Sequence, residues 1–144
     1  MSESISLALA ETIIEATLKK GAEMKLKPLT VAVLDAGGHL KALARQDGTS
    51  TLRPEMAQGK ARGAIALGLG SRAIFERAQQ QPFYAQAVNA LAGGSLLPVP
   101  GGVLVRDAGG AIVGAVGVTG DTSDNDEACA LAGIAAAGFT ADPG

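Results

Sequence analysis

A four-residue turn that occurs twice constrains this chain more than any other feature. Asp35-Ala36-Gly37-Gly38 returns as Asp107-Ala108-Gly109-Gly110, and each copy lies between two apolar runs. In such a turn the Asp carboxylate bonds its own stretch of backbone, and Gly supplies a positive φ that other residues resist. Neither Gly pair opens a helix, so this is turn chemistry and not a phosphate loop. Two tight turns make two hairpins, one joining 29–34 to 39–45 and one joining 103–106 to 111–118. Hairpins pair antiparallel, which argues against a doubly wound parallel sheet.

Helical periodicity fills the remainder. Ile5, Leu9, Ile13 and Ala16 form a stripe at three- and four-residue spacing. Ser4 reads as its N-cap and Lys19-Lys20-Gly21 as its stop. Pro54 opens a second helix, which Gly70-Ser71 breaks; Ser71 then caps a shorter third helix to about Gln80, and Pro82 opens a fourth, to Leu91. In the Gly- and Pro-rich connection that follows, Leu96-Leu97 reads as a short edge strand. The last helix starts at Asp124 as cap, runs to about Ala137, and leaves a loose tail. This order predicts an α+β fold, one antiparallel sheet of about five strands with helices packed on it, in a single domain over 1–144.

Composition narrows the function. Twelve Lys and Arg against fourteen Asp and Glu give a net charge of −2, without the positive excess of a nucleic-acid surface. Phe75, Phe83, Tyr84 and Phe139 are too few for base stacking. The single Cys129 excludes an internal disulfide and a thiolate-rich metal site, and reads as an inert packing residue. No stretch approaches the roughly 20 consecutive apolar residues of a membrane span, so no membrane partner is expected. Met1 to Ile5 lack a basic, then apolar, leader, and a cytoplasmic location is the expectation. Ala and Gly together make up a third of the chain. Such small side chains bury little area in a monomer, so association with further copies is expected.

The runs VAVLDAGGHLKALARQDG, GKARGAIALG, PVPGGVLVRDAGGAIVGAVGVTG and DNDEACALAG arrive in an order and spacing that resemble the GlcG/HbpS/PduO C-terminal-domain family. The resemblance spans nearly the whole chain. It implies a profilin-like fold in α/β/α layers around a five-stranded antiparallel sheet, and a homo-oligomer. It also implies a small-molecule ligand, with haem or a corrinoid as the cofactor class and His39 as the metal's axial ligand. One departure is visible: where the family's usual stretch is RMDG, this chain has Arg45-Gln46-Asp47-Gly48.

Three constellations carry candidate chemistry. His39 is the sole imidazole, an axial ligand or a general base, or else an unremarkable residue beside a turn. Its counterpart after the second turn is Ala111, so the turn itself does not need a ring there. Arg45, Asp47 and Lys60 are placed to converge at one end of the sheet, Arg45 to hold a carboxylate and Lys60 to supply charge or a proton. The plainer alternative is a surface Arg45–Asp47 pair and a solvated Lys60. In the acidic stretch after Thr119, Asp124, Asp126 and Glu127 read first as helix-capping charges, with Glu127 also a candidate partner of Lys60. Thr119 and the bare backbone of Gly101 and Gly102 complete the candidate ligand contacts.

Two functions follow. One is a small-ligand or tetrapyrrole-binding protein centred on His39. The other is a catabolic enzyme doing proton-transfer chemistry on a small carboxylated metabolite, with Arg45 as anchor and Lys60, Glu127 or His39 moving protons. Both require the first hairpin, the helix after it and the start of the final helix to meet around one cavity. A third reading is an oligomer with no ligand.

Overall fold

The computed structural model describes residues 3–144. Its elements are α1 (Leu7–Glu23), β1 (Thr30–Asp35), β2 (Leu40–Arg45), α2 (Arg53–Leu67), α3 (Ser71–Gln80), α4 (Pro82–Leu91), β3 (Gly102–Arg106), β4 (Ile112–Thr119), α5 (Ser123–Ala136) and β5 (Thr140–Asp142). The twin turns behave alike. Asp35 Oδ1 accepts the N–H groups of Gly37 and His39, both at 3.0 Å, and Asp107 Oδ1 accepts those of Gly109 at 3.0 Å and Ala111 at 2.9 Å. Gly38 and Gly110 take φ of 83° and 86°, the left-handed region each turn requires.

The sheet order is β2-β1-β4-β3-β5, antiparallel throughout. Alternation along the strands sends side chains to two faces. Val31, Val33, Val103, Val105, Val116 and Val118 pack with Ile13, Ile14, Cys129, Ala130 and Ile134 of α1 and α5. On the other face Leu34, Leu104 and Ala115 meet Ala61 and Ala64 of α2. The sheet thus lies between two helical layers, the α+β, α/β/α arrangement expected. No described helix is long and apolar enough to cross a membrane.

Local details depart from the sequence pattern for physical reasons. The fifth strand is the C-terminal Thr140–Asp142, not Leu96-Leu97. It pairs with β3, and Arg106 holds Asp142 at 2.9 Å. Leu96 and Leu97 lie in a loop tied along α2, where Leu97 N–H donates to the Gly59 carbonyl at 3.2 Å. Gly21 does not stop α1. It is buried in the helix, where a Cβ would come within 2.7 Å of Leu29 Cδ1, so its smallness serves close packing. Ser6, not Ser4, caps α1 by accepting Leu9 N–H, while Ser4 Oγ accepts Ala36 N–H from the first turn. Gly70 occupies the cap position of α3, freeing Ser71 Oγ to accept Gly102 N–H at 2.7 Å. Thr122, not Asp124, caps α5.

Candidate functional site

At the end of the sheet where β1 starts and β4 finishes, polar groups gather inside the fold. Lys60 of α2 and Asp126 of α5 are each 1% exposed. Lys60 Nζ donates to the Val118 carbonyl at 2.8 Å and to Asp126 Oδ2 at 3.2 Å, while Asp126 Oδ1 accepts Asp121 N–H at 2.9 Å. Burial pushes the Lys60 ammonium pKa down and the Asp126 carboxyl pKa up, and each charge draws the other back toward ionisation. Gly101 and Gly102 make room for this pair. A Cβ at Gly101 would stand 2.8 Å from Nζ, and one at Gly102 would stand 2.2 Å from the Lys60 carbonyl oxygen. These glycines are buried against Lys60 and do not present bare backbone at an open mouth.

Thr119 is also engaged: its Oγ1 accepts from Arg53 Nη1 at 2.7 Å. Glu127 turns away from Lys60 and pairs with Arg72 Nε at 2.9 Å, and Arg72 also reaches Asp124. The bonds to Asp124 and Glu127 hold the Arg72 guanidinium pKa above its ordinary value. The carboxylate facing Lys60 is therefore Asp126, one position before the expected Glu127. Neither cleft described below is lined by Lys60, Asp126 or Glu127. The group is closed, where proton transfer to a substrate needs an open approach.

Arg45 and Asp47 are exposed on the edge strand β2 and the loop after it. They line a shallow cleft of about 540 Å³ with Leu26, Lys27 and Pro28, and they form no ion pair with each other among the described residues. Gln46 between them has a structural partner, since its Oε1 accepts Leu29 N–H at 2.7 Å. His39 stands at the far end of the same hairpin. Thr30 is paired with Arg45 at one end of β1, and the Asp35 turn closes the other. Six strand residues span roughly 20 Å. The single cavity required by the sequence reading does not form: Lys60 with Asp126 and Arg45 with Asp47 lie at the same end of the sheet but line no common cleft, and His39 is at the other end.

The His39 side chain is 82% exposed, with Nδ1 at 3.4 Å from Asp35 Oδ1. The His39 backbone N–H, foremost among several contacts, holds the Asp35 carboxyl below its ordinary pKa, so a fixed anion stands beside the ring. A Cβ at Gly37 would come within 3.0 Å of the imidazole, which lies over bare backbone. The described residues contain no group of three or more His, Cys, Asp and Glu able to hold a metal ion. Cys129 is buried, and burial pushes its thiol up to about 11.

One feature escaped the sequence reading. α2 and the loop after α4 enclose a cleft of about 480 Å³ whose walls include Leu52, Met56, Gly59, Arg62, Leu96 and Leu97. The signal was Gly59 and Gly63 at helical spacing on α2. A Cβ there would stand 3.2 Å from Leu97 Cβ and 3.0 Å from Leu96 Cγ, so the loop seats on a glycine face.

Five antiparallel strands between helical layers, with an ion pair sealed at one end and a histidine turn at the other, define a small three-layer α+β protein. Over residues 5–135 the chain matches the model of the family described as haem degrading protein HbpS-like, and it belongs to that family. Among solved structures it is similar to HbpS, with 28% identity, a TM-score of 0.80, and coverage of 94% of this chain and 91% of the other. It shares the fold of PduOC, solved as a haem complex, at 20% identity and TM-score 0.84, covering 94% and 96%. It also shares the fold of the Klebsiella pneumoniae protein ORFY, at 24% identity and TM-score 0.85, covering 96% and 93%. No curated protein matches the chain.

Proposed function

We propose that residues 1–144 form a single-domain, cytoplasmic, homo-oligomeric haem-binding protein in which His39 Nε2 is the axial donor. The observation that carries this reading is the His39–Asp35 arrangement. A histidine bound to a metal usually has a carboxylate or carbonyl at its other nitrogen, which fixes the ring and directs the free nitrogen outward. Here Asp35 stands at Nδ1, 3.4 Å away, on a ring that solvent reaches almost fully. The donor fits an iron porphyrin, which takes a single imidazole on one side, and does not fit a multi-ligand zinc site. Family membership and the haem complex of PduOC support the same ligand class. When bound, haem would supply ligand exchange and redox change at iron; the chain would supply the imidazole and its orientation.

A macrocycle on an exposed turn needs apolar surface to cover it, and a further copy of the chain would supply it. The free Cys129 thiol suits a reducing compartment. The alternative of proton-transfer chemistry on a carboxylated metabolite has less support, because Lys60 and Glu127 are held in ion pairs away from both clefts.

Haem titration with Soret detection tests the proposal. The unmodified protein should take up haem stoichiometrically, and His39→Ala should abolish that uptake. Asp35→Asn should weaken it about 10- to 100-fold, the usual effect of losing the group behind a ligating histidine. Unchanged spectrum and affinity in His39→Ala would overturn the assignment.

A further inference from the structure

We infer that the cleft between α2 and residues 93–97 is a binding site for an amphipathic monocarboxylate, with its apolar body on Leu52, Met56, Leu96 and Leu97 and its carboxylate on Arg62. Three observations carry this. First, the cleft is preformed. Leu96 N–H donates to Asn89 Oδ1 at 3.0 Å and Leu97 N–H to the Gly59 carbonyl at 3.2 Å, which ties the loop to both helices. No closure of the loop is needed before a ligand enters. Second, the walls are mainly apolar, and the volume of about 480 Å³ falls in the ordinary range of small-molecule sites.

Third, the cation at this cleft is uncommitted. Arg62 is half-buried, lines the cleft, and forms none of the ion pairs or side-chain hydrogen bonds found among the described residues. Arg53, Arg72, Arg77 and Arg106 each have a partner; Arg45 has none among the described residues either, but the cleft it lines has fewer large apolar side chains. A guanidinium beside apolar surface recognises a carboxylate bidentately. Glu55 lines the same cleft seven residues earlier on α2, about 10 Å along the axis. That is too far to neutralise Arg62 and well placed to repel a second carboxylate. One acid group is therefore favoured over two. The site uses no residue of the His39 turn and stands independently of haem binding.

Octanoate is the probe, followed by calorimetry and by amide shifts on labelled full-length protein. Saturable binding is expected, with shifts centred on Met56, Gly59 and residues 93–97. Octanol, lacking the charge, and octanedioate, carrying two, should bind at least about tenfold more weakly. Arg62→Gln should cost octanoate at least about tenfold with an unchanged unfolding midpoint, and Arg62→Lys should recover part of the loss. Glu55→Gln should narrow the gap between octanedioate and octanoate. His39→Ala should leave octanoate binding intact, so the two proposals fail separately. Absence of saturable binding, equal affinity in Arg62→Gln, shifts centred on the Arg45 cleft, or competition between haem and octanoate would each overturn the inference.

Discussion

Lys60 has the largest of the fully buried side chains, and its burial fixes what the residue does. Removing an ammonium and a carboxylate from water costs several kcal/mol per ion, offset here by their mutual bond, the Val118 carbonyl and the Asp121 N–H. Breaking one side leaves the other charge buried and alone. Lys60→Met should destabilise the protein by about 3–5 kcal/mol in urea unfolding at neutral pH. Lys60→Met/Asp126→Asn should lose clearly less than the sum of its single substitutions, because the orphaned charge is gone. A cost below about 1 kcal/mol for Lys60→Met would show the pair to be solvated, as exposed pairs are. The sequence marked Lys60 and the acids near 124–127 but not which acid faces it. Successive helix positions rotate by about 100°, so Asp126 and Glu127 point in different directions, and only the seating of α5 on the sheet decides between them.

At the scale of elements, glycines set how closely the layers meet. α2 crosses β4 where a Cβ on Gly117 would lie 1.8 Å from the Ala57 carbonyl oxygen. Backbone there cannot yield as a flexible side-chain tip would. Gly117→Ala should therefore push α2 off the sheet and cost at least about 3 kcal/mol, at the upper end of overpacking effects. Gly109→Ala, in the second turn, meets nothing nearer than Asp107 Oδ1 at 3.5 Å and should stay within about 0.5 kcal/mol. Thermal and urea unfolding of the two variants side by side checks the contrast. The hairpins were legible because an Asp–Gly turn imposes its geometry locally. β5 was not, since Thr140, Ala141 and Asp142 carry no alternating pattern and become a strand only by pairing with β3. Gly21 misled for a related reason: a glycine at a close approach looks, in sequence, like a glycine at a helix end.

For the whole molecule, the sequence put Arg45 and Lys60 at one end of the sheet, where the register also has them, but it did not show that His39 lies at the other end. An antiparallel hairpin necessarily sends its turn and its open ends to opposite sides, so His39 and Arg45 were never able to share a cavity. The same scale explains α4. This helix carries no charged residue, and Ala85 is its one buried position. Beside it the half-buried Tyr84 has Arg77 stacked over its ring at 3.9 Å. The helix's outer side presents Phe83, Ala87, Ala90 and Leu91, spaced along one face, with Phe83 70% and Leu91 89% exposed. A charge-free stripe with alanines between two large apolar ends is complementary to itself when run antiparallel. In such a pairing Ala87 would sit near the two-fold axis, and Phe83 of one copy would meet Leu91 of the other. For the homo-oligomer proposed above, this is the face that a second copy would cover. In a symmetric interface each substitution is made twice. Burying a Phe is worth about 1.5–3 kcal/mol, so Phe83→Ser should weaken association at least about 100-fold. Sedimentation equilibrium should find dimers or larger species of the unmodified protein and monomers of Phe83→Ser/Leu91→Ser with an unchanged far-ultraviolet spectrum. A monomeric unmodified protein, or an assembly indifferent to both substitutions, would remove α4 from the interface.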